Sequence, residues 1–115
     1  MIDVVTHNGA GFSSVFKSDT WQIATVTYAP QYSKEGFTHM KKHLTTDEVF
    51  VLVKGNAVIH TYEDGSIKTI TLEKEKIYCI EKNTWHYLEI SNDAFLIAVE
   101  NAEVLPEHTE RMEIK

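Results

Sequence analysis

The chain has 115 residues, a formal net charge of −6, 43% hydrophobic and 24% charged residues. That is the size and composition of one soluble globular domain, long enough to bury about two-thirds of its unfolded surface around one core. The acidic balance and the lack of any basic patch beyond Lys41–Lys42 argue against a nucleic-acid or anionic-membrane partner. No apolar run approaches the length of a membrane span, and MIDVVTHNGAGF lacks the charged and apolar regions of a signal peptide. The lone cysteine, Cys79, has no internal disulfide partner, which suits a reducing cytoplasm. Its setting in IYCIE predicts a buried, inert thiol.

Taken in chain order, the pattern is β almost throughout. WQIATVTYA (21–29) is β-branched, aromatic and alternating. FTHMKKHL (37–44) follows a loop, and EVFVLVK (48–54) follows the Thr45–Thr46 turn. Gly55–Asn56 and Asp64–Gly65 are tight-hairpin dipeptides that separate AVIHTYE (57–63) from its neighbours, the second leading into SIKTITL (66–72). IYCIE (77–81), HYLEI (86–90) and AFLIAVEN (94–101) complete a set of about eight short strands at near-regular spacing. Such a series predicts an all-β closed barrel or two-sheet sandwich in a single domain. The polar tail with Pro106 reads as a short terminal strand or a loose end.

HMKKHLTTDEVFVLVKG raises the chemical question. His43 and Glu48 stand just before an apolar strand, where an imidazole and a carboxylate are costly unless something pairs with them. Four residues separate His43 from Glu48, and the six residues VFVLVK separate Glu48 from Gly55. With these spacings the chain resembles the cupin superfamily, small jelly-roll β-barrels whose first motif has a His-x-His, a Glu and a Gly. His43 matches the second histidine, and Lys41 stands where the first would be. In the second motif His86 matches the histidine, while Glu75, Glu81 and Asn83 replace glycine, proline and glycine. Asn83 tolerates a left-handed backbone; Glu75 implies either a different turn or strain. The resemblance covers about residues 20–101 and leaves the termini peripheral.

The resemblance implies a cupin-type jelly-roll barrel in which His43, Glu48 and His86 converge, with Glu48 on the strand paired to that of His43 and His86 on a facing hairpin. Two imidazoles and one carboxylate suit iron, manganese, nickel or zinc. Alternating strand faces put His39, Lys41 and His43 on one side. His39 reads as a pocket-rim residue, or as a further ligand displaced by about 7 Å along the strand. Lys41 has two readings: a proton shuttle beside an ion, or the partner of Glu48 in place of one. Phe50, His60 and Tyr62 are further pocket candidates, as is Tyr87, while His60 also reads as a partly buried histidine held by a hydrogen-bonding neighbour. Trp21, Tyr28 and Tyr78 read as core or pocket wall, Trp85 as pocket mouth or outer surface, and His7 and His108 as solvated.

Three functions follow as expectations. One is a metal-dependent isomerase, dioxygenase or lyase acting on a small polar metabolite. The second is a metal-free module that binds a sugar or organic acid. The third is a chiefly structural barrel. A homodimer formed through edge strands is expected in each case.

Overall fold

The computed structural model describes residues 1–114. Ten strands are present: β1 (Phe12–Lys17), β2 (Trp21–Thr27), β3 (His39–His43), β4 (Glu48–Lys54), β5 (Ala57–Glu63), β6 (Ser66–Thr71), β7 (Tyr78–Ile80), β8 (Trp85–Ile90), β9 (Phe95–Asn101) and β10 (Thr109–Glu113). Eight of them lie where alternation and turn dipeptides put strands. The other two are β1, formed by FSSVFK, and β10, the strand reading of the tail. They assemble into two five-stranded antiparallel sheets, ordered β1-β2-β9-β4-β7 and β10-β3-β8-β5-β6.

The expected pairing of β3 with β4 does not occur. The chain crosses from one sheet to the other at Leu44–Asp47, and β3 lies between β10 and β8. His86 is therefore in the same sheet as His43, and Glu48 faces them from the opposite sheet. The three groups still meet, because both strands turn the relevant residues inward.

Inward rows are set by the period of two. On β4 these are Glu48, Phe50 and Leu52, all buried, and on β5 Ala57, Ile59 and Thr61. The apolar members of these rows form the core between the sheets with Leu88, Ile90, Leu96 and Ala98. Tyr28 and Tyr78 pack against that core, as expected. Trp21 does not: it stands 42% exposed on the outer face beside Phe16. Cys79 is also exposed, because β7 is an edge strand whose inward residues are Tyr78 and Ile80. The slight burial it has pushes its thiol up.

Several turns hold left-handed backbone, two of them at residues other than glycine that the sequence marks as substituted, Glu75 and Asn83. Asp64–Gly65 has φ of 52° and 79°, as a tight hairpin requires. Glu75 (φ 67°) and Asn83 (φ 68°) both hold the left-handed backbone. At Glu75 the strain alternative is the one realised, since a residue with a Cβ holds a left-handed backbone there. Gly55 is irreplaceable for two reasons: its φ of 81° is left-handed, and a Cβ would lie 2.6 Å from the Ala94 backbone.

Candidate metal centre

Glu48 sits at the end of the inward row of β4, its side chain 8% exposed. Its Oε1 lies 3.4 Å from His43 Nε2 and 3.5 Å from His86 Nε2. The two rings are 5.4 Å apart between centroids. One donor atom from each of the three residues lies within 4.8 Å of the others. The three residues that the cupin resemblance brings together thus lie side by side.

The far side of each ring is tied down. His86 Nδ1 is 2.9 Å from the Thr84 carbonyl, and His43 Nδ1 is 3.0 Å from Thr109 Oγ1. A carbonyl only accepts, so His86 Nδ1 carries the proton, and a neutral His86 offers a lone pair at Nε2. That lone pair faces a carboxylate oxygen. Two acceptors face each other stably only with a second proton on the ring or a cation between them. An outer hydrogen bond to a backbone carbonyl is the usual support of a metal-ligating histidine. The donor set fits a divalent ion: two nitrogens and one oxygen, all aimed at one point.

Without an ion the electrostatics describe the doubly protonated alternative: burial acts to raise the Glu48 carboxyl, but hydrogen bonds that His43 and His86 donate in that state outweigh it and hold the group at about 2. The hydrogen bond to Glu48 raises His43 above its ordinary value, against the opposing effect of burial. Burial, with the charges of Arg111 and Lys41, lowers His39.

The centre opens into a cavity of about 480 Å³ lined on its polar side by His39, Lys41, Gln31, Tyr32 and Glu100, and on its apolar side by Phe12, Phe50, Tyr87 and Leu88. His39, Lys41 and Phe50 line this cavity; Tyr87 borders it, but alternates with His86 and Leu88, lies opposite His60 on the outer side and donates its hydroxyl to the Ser33 carbonyl. His60 and Tyr62 do not line it. They alternate with Thr61, which faces inward, so they stand on the outer face of the sheet. There His60 bonds Thr69 and Glu89 through its two ring nitrogens and stacks on Phe37 at 4.4 Å. Trp85 lies on the outer face beneath Lys42, whose Nζ is 4.7 Å from the ring centroid. His7 is not solvated: its nitrogens meet Thr25 Oγ1 at 2.6 Å and Thr27 Oγ1 at 3.0 Å, pinning the N-terminal segment to β2. His108 is half-buried, with Nδ1 buried and without a hydrogen-bond partner among the described residues.

Lys41 does not neutralise Glu48. No ion pair joins them; Lys41 is solvent-exposed on β3, directly opposite His86, while the imidazoles occupy the carboxylate.

Glu100 is the main residue that sequence reasoning missed. It lies directly across the β4–β9 ladder from Glu48 and accepts a 3.2 Å hydrogen bond from Gln22 Nε2. Burial, and then the charge of Glu48, push its carboxyl up to about 7. The signal was present: in AFLIAVEN, Glu100 continues the inward row Leu96–Ala98, as Glu48 begins the row Glu48–Phe50–Leu52. Tyr32 comes from the short 3-10 turn Pro30–Tyr32, which has no periodicity to read. Burial, then the charge of Glu48, raise its hydroxyl to about 12.

A histidine–glutamate–histidine cluster at the open end of two antiparallel sheets defines a cupin-type jelly-roll barrel, and the chain has the fold of the cupin superfamily. Comparison with solved structures agrees. A cupin-2 domain protein from Shewanella frigidimarina superposes with a TM-score of 0.61 at 21% identity, over 82% of this chain and 83% of that one. Streptomyces Pac13, described as a unique nucleoside dehydratase and also solved with uridine, superposes at 0.68 with 6% identity, over 95% of this chain and 85% of that one. CapF, a capsular polysaccharide assembling protein from Staphylococcus aureus, superposes at 0.66 with 21% identity over 96% of this chain, which spans only 34% of CapF. No protein-family model and no curated relative matches the chain.

Proposed function

We propose that the protein is a small cupin that holds a divalent metal ion at His43, Glu48 and His86 and takes a small polar metabolite into the adjoining cavity. The observation that carries this reading is the acceptor-to-acceptor contact between His86 Nε2 and Glu48 Oε1, with His86 Nδ1 committed to a carbonyl. Iron, manganese, nickel and zinc all accept this donor set. Such an ion, when bound, polarises substrate oxygens or activates water or dioxygen. The chain's own groups bind and orient the ligand: Phe12, Phe50 and Leu88 exclude water, and Glu100, raised to about 7, exchanges a proton beside Glu48 near neutral pH. Isomerase, dioxygenase and lyase chemistry all fit a site so composed, with Lys41 available as a proton carrier at the mouth.

The second reading is a metal-free binding module in which a doubly protonated imidazole takes the place of the ion. The raised His43 supports it. We further propose a homodimer in a reducing cytoplasm. The edge strand β6 exposes Ile67 and Ile70, apolar side chains that suit pairing between copies. The single exposed cysteine suits such a compartment. Among the described residues no helix is long and apolar enough to cross a membrane.

The test is metal analysis of protein purified without chelator or nickel resin. Near-stoichiometric metal that disappears in His86→Ala supports the first reading. Metal-free protein whose stability ignores both EDTA and added ions removes it. Sedimentation at micromolar concentration, giving one 13.2 kDa species, would remove the dimer.

A further inference from the structure

The inward face of β3 carries more positive functionality than stability explains. Lys41 is flanked by His39 and His43, two residues to either side on the same face, and lies opposite His86 on β8. On its other side the β3–β10 ladder places Arg111 directly opposite Lys41. Like charges directly across a ladder destabilise a sheet. The chain as a whole carries −6, so carboxylates are plentiful. The neighbouring lysine shows how one is used: Lys42, on the outer face, pairs with Glu110. Arg111 is ion-paired through Nε with Glu113, which lies opposite His39, so the unpartnered charge of the two is that of Lys41. Among the described residues Lys41 has no acidic partner, although it lines the cavity, and Glu48 is held by imidazoles on the opposite wall.

We propose that Lys41 and Arg111 form the oxyanion-recognising end of the ligand site, so that the molecule taken into the cavity carries a carboxylate or phosphate at the mouth and an apolar body within. A bound oxyanion offsets what the Glu113 ion pair leaves of the Lys41–Arg111 opposition, and the guanidinium and ammonium donors match its oxygens. The apolar body follows from Phe12, Phe50 and Leu88 on the cavity wall. The inference deepens the reading of the cavity as a small-molecule site. It does not depend on the ion, because both cations belong to the chain.

The test compares benzoate, phenyl phosphate and neutral benzamide by NMR titration. Wild type, Lys41→Gln, Lys41→Arg and Arg111→Gln are each titrated with and without EDTA. Expected is a preference of wild type for an anionic probe over benzamide of about tenfold, the worth of one charge-assisted hydrogen bond. Lys41→Gln abolishes that preference, Arg111→Gln reduces it, Lys41→Arg retains it, and benzamide affinity stays constant throughout. The more tightly held anion tells whether a carboxylate or a phosphate is the natural group. Equal binding of acid and amide by wild type overturns the proposal, as does a preference that survives in Lys41→Gln. A preference that EDTA removes places the charge on the ion; this overturns the proposal and leaves the metal reading standing. A preference that persists in protein without any metal keeps the proposal and removes the metal reading instead.

Discussion

Strands β4 and β9 run side by side through two unlike regions. At one end their inward rows are Phe50, Leu52, Leu96 and Ala98, all buried in the core. At the other end the same rows finish in Glu48 and Glu100, facing His43 and His86. Backbone geometry and pairing are continuous between them; only the side chains change. The apolar end lowers the free energy of the fold by leaving water. The polar end spends part of that gain on two desolvated carboxyls, and a cost of this kind persists in proteins where a ligand needs it.

The largest effect comes from breaking the apolar end. Leu96 is fully buried, and Leu96→Ala is expected to lower unfolding stability by about 2–5 kcal/mol through lost burial and a cavity. Urea denaturation measures it, and a loss below about 1 kcal/mol would show that the site end can collapse to fill the space. At the polar end, saturating the centre with a divalent ion at about a hundredfold its Kd is expected to stabilise the protein by roughly 2.7 kcal/mol. EDTA and Glu48→Gln should each abolish that gain, read as a shift in Tm.

The two ends also differ in pH response. Glu100 has its folded value raised from 4.5 to about 7, so the folded state binds the extra proton between those values. Stability of the metal-free protein should therefore fall as pH rises from 4.5 through 7, and His43, also raised, adds to the loss near the upper end. Glu48 works in the opposite sense, its stabilisation vanishing as pH falls from 4.5 toward 2. Glu100→Gln keeps an acceptor for Gln22 without the charge. It should raise stability at pH 8 by roughly 1 kcal/mol, allowing for solvent screening. No gain would show that the Glu100 carboxylate is stabilised by contacts other than that hydrogen bond. The smallest effect lies outside both regions: Glu75→Gly should relieve left-handed strain and gain about 0.5–1 kcal/mol, a rise of a few degrees in Tm.

The candidate site was legible to the extent that it is local. His43, Glu48 and His86 stand at fixed spacings from Gly55 and from the turn at Asn83. Alternation correctly put His39 and Lys41 on the face of His43. What failed did so for want of long-range information. His60 and Tyr62 carry pocket-like chemistry on a strand whose inward phase is fixed by Ala57, Ile59 and Thr61 packing against the other sheet. Trp21 and Cys79 have core-like character but fall on outward positions.

By itself the sequence determined the strands, their turns and which residues share a face, because each depends on neighbours two to four positions apart. It also determined that two imidazoles and a carboxylate sit at strand ends beside apolar runs. Only the tertiary structure decided that β3 and β4 lie in different sheets, that Glu100 stands beside Glu48, and that Lys41 meets Arg111 instead of the buried acid. Those facts follow from which strand pairs with which, and that choice is made by burying all the inward rows at once, a condition no short segment can express.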